Sequence, residues 1–287
     1  MVPEAMSLLA PSGGGVFVDC TVGLGGHARA LLEGGAARLI GLDRDTEALA
    51  HAAAALAGWG DRVDLVHADY RQLEGVLEDR GVLGAAGILA DLGVSSMQLE
   101  AEGRGFSFRR DEPLDMRMDR TQGPSAADLL MDVGEQELAD VIFQYGEERY
   151  SRRIARAIVE ARRAGPIVTT GQFAALVRRA VPHKGYQRID PATRTFQALR
   201  IWVNRELEGL DAFLGAAARL LLVGARLAVI TFHSLEDRIV KHTFRALAAG
   251  EGAMRVLTRK PLVPSDDEVA RNPRARSAKL RAIERLA

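Results

Sequence analysis

The sequence predicts an α/β protein with a doubly wound, mostly parallel sheet that is interrupted by an all-helical insertion. Two observations predict this class. Between residues 16 and 91, four short apolar segments alternate with helix-like segments, and the alternation stops near residue 97 and returns near residue 226. Such alternation is typical of parallel strands joined by right-handed crossovers. We therefore expect a discontinuous domain of residues 1–97 and 203–287, and an insertion domain of residues 98–202.

Each of the four N-terminal strands ends in an aspartate. These strands are predicted at residues 16–19, 38–43, 63–69 and 87–91, a fifth at 226–232, and two more at 254–258 and 278–285. Ligands of doubly wound sheets bind beyond the carboxyl ends of the strands. We therefore expect Asp19, Asp43, Asp69 and Asp91 at the ligand edge, although strand-end aspartates also cap the helices that follow them.

The insertion is predicted to be helical and to carry a cationic face. Its helices are expected at residues 125–130, 135–145, 147–163, 170–180 and 192–210. At about 100° per residue, one face of the third helix collects five arginines and the opposite face is mainly apolar. Together with Arg194 on the last helix, this surface is predicted to bind RNA phosphates, with a solvated arginine face as the alternative. The predicted RNA contacts are Arg149, Arg152, Arg153, Arg156 and Arg194, and Arg163 shares the face.

Composition limits the remaining possibilities. Net charge is zero, and the sequence offers neither a credible membrane-spanning segment nor a basic signal-peptide start. Cys20 is the only cysteine, which excludes an internal disulfide and is typical of a cytoplasmic protein. The six histidines lack metal-ligand spacing, so no structural metal is expected. The oligomeric state stays open, with a homodimer among the possibilities.

The turn after the first strand is glycine-rich and opens a helix, as in nucleotide-binding folds. Residues 23–28 fit the dinucleotide pattern G-x-G-x-x-G/A, so an NAD-dependent oxidoreductase is one alternative. Asp19 argues against it, because a carboxylate before the turn would repel a pyrophosphate. S-adenosylmethionine has no phosphate and carries a sulfonium, an ammonium, a ribose diol and an adenine. Its groups suit Asp43 at the ribose, Asp69 and Tyr70 at the adenine, and Asp91 near the methyl.

Eight motifs in order closely resemble the bacterial 16S rRNA (cytosine-N4)-methyltransferase family of the MraW/RsmH type. Examples are Asp-Leu-Gly-Val-Ser-Ser at 91–96 and Phe-His-Ser-Leu-Glu-Asp-Arg at 232–238. The motifs occupy residues 19–27, 91–99, 104–108, 113–119, 145–149, 191–201, 232–238 and 272–277. The chain departs from the family in lacking a His-x-Pro-Val-Leu opening, which indicates a shortened N-terminus, and in having Asp190 before the 191–194 motif.

The resemblance implies a Rossmann-like class I methyltransferase that uses S-adenosylmethionine to methylate N4 of a decoding-region cytidine in the 16S rRNA of the small ribosomal subunit. It implies cofactor contacts at Gly25, Gly26, His27, Asp43, Tyr70, Asp91 and Gln98. His27 and Gln98 come from the resemblance alone. We expect Asp91 to be the catalytic residue, positioning the methyl and amino groups and accepting a proton. A non-catalytic RNA-binding protein with an empty cleft is the other alternative.

Overall fold

A computed structural model describes residues 1–182, 190–250 and 253–287. The chain forms two compact units, Met1–Gly93 with Leu207–Ala287 (unit 1) and Val94–Glu206 (unit 2). The sequence predicted the boundaries at 97/98 and 202/203. Within the described residues, no helix combines the length and apolar character needed to cross a membrane.

Unit 1 is a seven-stranded sheet with helices on both faces, as the sequence predicts. Its strands are β1 Val16–Asp19, β2 Arg38–Asp43, β3 Val63–His67, β4 Ala85–Asp91, β5 Leu221–Thr231, β6 Met254–Val256 and β7 Lys279–Arg285. Its helices are α1 Val2–Leu9, α2 Gly26–Glu33, α3 Thr46–Leu56, α4 Leu73–Glu78, α11 Leu210–Arg219, α12 Ser234–Ala249 and α13 Asp266–Arg271.

The strand order is β3-β2-β1-β4-β5-β7-β6. The chain adds β2 and β3 on one side of β1 and the later strands on the other, so the order of addition reverses at β1. The first five strands pair in parallel, whereas β7 is antiparallel to β5 and to β6. Phe17 and Val18 are both buried although successive strand residues point to opposite faces, so both faces carry a core. The carboxyl ends of β1, β2 and β4 are neighbours, which puts three aspartates along one edge.

Unit 2 is helical and has its own core. Its helices are α5 Ser96–Glu100, α6 Ala126–Asp132, α7 Glu135–Gly146, α8 Ser151–Arg162, α9 Thr170–Ala180 and α10 Ala192–Asn204. Phe196 packs between two other rings, with centroids 4.7 Å from Phe108 and 5.2 Å from Phe173. Aromatic contacts at these distances stabilise a core beyond the area that they bury.

The predicted helices at 147–163 and 192–210 have the wrong bounds. The first begins at Ser151, because Glu147 ends α7 in the left-handed region with φ 49°. The second ends at Asn204, because Arg205 is left-handed with φ 50°, and a separate helix starts at Leu210. Arg149 therefore lies in the turn before α8 and not on the helix itself.

Candidate functional site

The glycine turn between β1 and α2 follows an unusual backbone path. Gly23 and Gly25 have φ of 51° and 84°, a region that favours glycine. Gly25 also lies against α3, where an added Cβ would come 3.3 Å from Leu56 Cγ. The turn is thus fixed both by its own conformation and by packing, and it leads to the N-terminus of α2 at Gly26.

Asp43 holds this turn from the next strand. Its Oδ2 accepts the Gly23 N–H at 2.8 Å, and its Oδ1 accepts the Asp45 N–H at 2.9 Å. Burial raises the pKa of the Asp43 carboxyl, and the two backbone donors oppose that rise. Each carboxylate oxygen retains acceptor capacity, so Asp43 can also receive hydroxyl donors from a ligand.

Asp19, His27 and Asp91 form a cluster at the carboxyl ends of β1 and β4. The Asp91 N–H donates to Thr21 Oγ1 at 2.6 Å, and the Thr21 N–H donates to Asp19 Oδ1 at 3.2 Å. His27 Nδ1 lies 3.6 Å from Asp91 Oδ2, which is longer than a hydrogen bond. Thr21 therefore ties the two strand ends together.

Three polar atoms of this cluster are buried without a hydrogen-bond partner among the described residues. They are Asp19 Oδ2, His27 Nε2 and Asp91 Oδ1. Buried polar atoms in folded proteins are normally paired, so two acceptors and an imidazole nitrogen left unpaired indicate a ligand with donor groups. The sequence predicts Asp19 at the ligand edge but not among the cofactor contacts, and it assigns no role to Thr21, whose hydroxyl links the two strand ends.

Burial controls the protonation of this cluster. It raises the pKa of Asp19 to about 7, with the nearby Asp91 charge adding to the rise. Burial also raises the pKa of Asp91, although 29% of that side chain is exposed. The same desolvation lowers the pKa of His27 to about 4, so the imidazole is neutral at pH 7. A cationic ligand group would restore the ionised form of both carboxylates.

Tyr70 lies in the segment after β3 and is buried against Phe213, with ring centroids 4.7 Å apart. Asp69, which the sequence predicts beside Tyr70 at the adenine, makes local contacts. Its carboxylate receives Arg71 Nε at 2.7 Å and lies 3.5 Å from Arg44. Burial alone would raise the pKa of Asp69, but these two arginines lower it below the usual value. Asp69 therefore stabilises the segment that carries Tyr70.

Gln98 lies on α5 and belongs to unit 2, whereas the other predicted cofactor contacts belong to unit 1. It forms a capping box with Ser95: the Gln98 N–H donates to Ser95 Oγ at 3.1 Å, and Gln98 Oε1 accepts the Ser95 N–H at 2.9 Å. A structural role for Gln98 at the helix start is thus evident from these contacts.

The arginine face of α8 is present in unit 2. Ile154 and Ile158 are buried in the core, whereas Arg152, Arg153 and Arg156 are exposed, as the helical periodicity predicts. Arg156 lies 3.5 Å from Glu135. Exposed Arg149 stacks over Tyr150 at 4.6 Å, and exposed Arg194 donates to the Glu147 carbonyl oxygen at 3.4 Å. Arg163 is exposed beyond the end of α8.

The strand order, the glycine turn and the acidic strand ends define a Rossmann-like, S-adenosylmethionine-dependent methyltransferase. The residues fit this donor, because unpaired carboxylate oxygens suit its ammonium and sulfonium. Gly26 also leaves space beside the turn, since no atom lies within 4 Å of a Cβ added there. The sequence matches the MraW methylase family over residues 1–286, and the chain belongs to that family.

Relatives in several bacteria are similar along nearly the whole chain. Ribosomal RNA small subunit methyltransferase H of Sorangium cellulosum is 53% identical over 99% of this chain and 89% of its own length. The protein of the same name from a Cyanothece species is 52% identical over 95% of this chain and 89% of its own length. The one from Geotalea uraniireducens is 48% identical over 100% of this chain and 97% of its own length.

Proposed function

We propose that this protein transfers the methyl group of S-adenosylmethionine to the exocyclic N4 of a cytidine in the decoding region of 16S rRNA. Membership of the MraW methylase family and relatives named as small-subunit rRNA methyltransferases support an rRNA substrate. The observation that carries the chemistry is the buried cluster of Asp19, His27 and Asp91 with its unpaired polar atoms. We infer that the protein works in the cytoplasm, where ribosomal subunits are made.

The cofactor contacts that we propose are Gly25, Gly26, His27, Asp43, Tyr70, Asp91 and Gln98, and we add Asp19. Asp43 accepts from the ribose hydroxyls, and Tyr70 supplies an apolar ring for the adenine. Asp19 and Asp91 offer Oδ2 and Oδ1 to cationic groups. S-adenosylmethionine supplies an electrophilic methyl group when bound.

Asp91 is the residue that we propose for catalysis. Cytosine N4 is a weak nucleophile because its lone pair is delocalised into the ring, so alignment of the amino group accounts for most of the acceleration. Asp91 Oδ1 can accept a hydrogen bond from that amino group and then the proton that it loses. Burial raises the pKa of Asp91 in the ligand-free protein, and the cationic cofactor favours its ionised form, which is the form that can accept a proton.

The arginine face of α8 is proposed to bind the rRNA backbone. Guanidinium groups bind phosphates bidentately, and exposed arginines on one helix face neutralise several phosphates together. Arg149 and Arg194 extend this surface at either side of the Glu147 turn. A single-stranded rRNA loop is the easier substrate, because its target base need not be unpaired from a duplex.

One experiment tests the proposal against its alternatives. The protein is incubated with methyl-labelled S-adenosylmethionine and unmodified small-subunit rRNA or particles, and the RNA is digested and searched for N4-methylcytidine. Label in N4-methylcytidine supports the proposal, and label in another nucleoside contradicts the N4 assignment. RNA binding without any labelled nucleoside would favour a non-catalytic RNA-binding protein, and NAD binding without S-adenosylmethionine binding would favour an oxidoreductase.

A further inference from the structure

We propose that the ring of Phe143, on α7 of unit 2, stacks on an unpaired base of the rRNA while the arginine face of α8 binds the phosphates on either side of that base. This inference rests on the proposed function. It adds a second chemical group, a nucleobase of a single-stranded segment, to the phosphates that unit 2 is proposed to recognise.

Phe143 leaves most of its ring in solvent. It is 60% exposed, whereas every other aromatic side chain in the part of the chain that the structure describes is buried or half-buried. Leu138 and Ile142 on the same helix are fully buried, so α7 has a face for apolar side chains and Phe143 is not on it. The exposed ring offers a partner a large apolar surface with a π face.

The arginines of α8 run alongside Phe143. The two helices are joined by a short turn and pack together as an antiparallel hairpin. Arg156 Nε lies 3.5 Å from Glu135 Oε1, which fixes their alignment. Phe143 lies eight residues or about 12 Å along α7 from Glu135, and Arg152 lies about 6 Å along α8 from Arg156. Since Arg149 is about one turn farther, Phe143 is level with Arg149 and Arg152.

The turn between the two helices contains a second flat group. The guanidinium of the exposed Arg149 lies over the Tyr150 ring, 4.6 Å from its centroid. Unpaired RNA bases stack on both aromatic rings and guanidinium planes, and arginines beside such rings hold the backbone. A stacking ring next to a stacked arginine is therefore an arrangement that suits a single-stranded segment.

The charge around Phe143 also suits RNA. Two exposed acids lie one helical turn from it on α7, Asp140 and Glu147. Asp140 accepts from Gln136 Nε2 at 2.9 Å, and Arg194 donates to the Glu147 carbonyl oxygen, which brings a further guanidinium to this end of α7. The arginine face and Arg194 together outnumber the two acids. The surroundings of the ring are thus mainly cationic, as the phosphates flanking a stacked base require.

The test combines substitutions of Phe143 with abasic RNA. Wild type, Phe143→Ala and Phe143→Leu are compared on an rRNA fragment containing the methylated cytidine, either intact or with one abasic residue at each unpaired position in turn. We expect both variants to bind the intact fragment about tenfold more weakly, because leucine keeps the apolar bulk but has no π face. The loss should be the same across a salt series, since Phe143 is neutral and releases no counterions.

One abasic position should identify the stacked base. It should weaken wild-type binding about tenfold but have little further effect on Phe143→Ala, because both changes remove the same contact. Exchanging that base for another should change the affinity little, since the Phe143 ring has no hydrogen-bonding group with which to distinguish bases.

The control is Met131→Ala, which removes another exposed apolar side chain of unit 2, on α6. It should bind the fragment like wild type, whereas Arg152→Ala should reduce the salt slope by about one. Wild-type affinity in Phe143→Leu, or equal losses from every abasic position in wild type and Phe143→Ala, would overturn the stacking assignment. Unchanged rRNA affinity with a loss of self-association in Phe143→Ala would overturn it in favour of a contact with a second copy. Failure of wild type to bind or methylate the fragment would instead contradict the proposed function.

Discussion

The glycine-turn site of unit 1 and the arginine face of unit 2 are proposed to recognise their ligands in opposite ways. The former depends on backbone conformation, with left-handed Gly23 held by Asp43 and left-handed Gly25 packed against Leu56, and on polar atoms buried beside it. The latter depends on exposed charge, with Arg152 and Arg153 directed away from the buried face of α8. A site of buried polar atoms suits a small ligand with fixed groups, whereas exposed cations suit a flexible polyanion.

This difference has a measurable consequence. Interactions between exposed charges are screened over about 8 Å at physiological ionic strength, whereas buried groups are screened much less. The loss of activity caused by a substitution in the glycine-turn site should therefore be the same at high salt. The loss of rRNA affinity caused by a substitution in the arginine face should become smaller as salt weakens rRNA binding by wild type and variant alike. Each prediction below tests that contrast.

The largest effect is expected from Asp91→Ala. Removing the carboxylate that we propose as proton acceptor should lower kcat by about 10²–10⁴-fold. Single-turnover methylation at two salt concentrations measures it, and the loss should be the same at both. Asp91→Asn serves as the matched variant, because it keeps the shape of the side chain and loses the basic oxygen. Turnover near the wild-type rate in either variant would remove Asp91 from the mechanism.

Reversing two charges on α8 comes next. Arg152→Glu with Arg156→Glu should weaken rRNA binding by about 10–100-fold at low salt and flatten its salt dependence, because fewer counterions are released. Filter binding across a salt series measures both quantities. S-adenosylmethionine affinity should not change, and Arg245→Glu, which reverses one exposed charge outside unit 2, is the control. Unchanged rRNA affinity in the double variant would favour a solvated arginine face.

A smaller effect is expected from Gly25→Ala. The left-handed backbone and the nearby Leu56 side chain should reduce the free energy of unfolding by about 1–2 kcal/mol. S-adenosylmethionine affinity should fall about tenfold, independently of salt, because the turn must shift. Calorimetry on the folded protein measures both. Gly58→Ala is the control, since no atom lies within 4 Å of the added Cβ, and equal behaviour of the two variants would mean that turn geometry is unimportant.

The smallest effect concerns pH and Asp19. Because its pKa of about 7 exceeds its unfolded value, Asp19 stabilises the ligand-free fold at low pH, and this contribution is lost as pH rises to about 7. A cationic ligand prefers the ionised form, so S-adenosylmethionine affinity should increase about fivefold between about pH 6 and pH 8. Asp19→Asn should flatten both trends. Equal pH profiles for Tm and affinity in wild type and variant would contradict this role.

Much of unit 1 was predictable because its signals are local. Apolar segments ending in Asp19, Asp43 and Asp91 fixed three strands and their common edge, since parallel strands present their carboxyl ends together. Asp69 follows the same sequence pattern but pairs with Arg71 and Arg44. Nothing in the pattern distinguishes an aspartate that faces a ligand from one that binds a neighbouring arginine.

The errors lie where tertiary packing overrides local preference. Glu147 and Arg205 are left-handed without being glycine, and periodicity alone extended helices across both residues. At Gly146, an added Cβ would come 2.7 Å from the Arg194 carbonyl oxygen, so close packing of α10 accompanies the break. His233 is the N-cap of α12, and its ring nitrogen accepts the Glu236 N–H there.

The separation of β4 from β5 bears on the order in which the protein folds. These strands are neighbours in the sheet, yet all of unit 2 lies between them in the chain. During synthesis, β1 to β4 and their three strand-end aspartates leave the ribosome first, and the sheet gains β5 only after residues 94–206 have followed. Closing so long a loop is slow, so we expect unit 2 to fold before the sheet of unit 1 is complete.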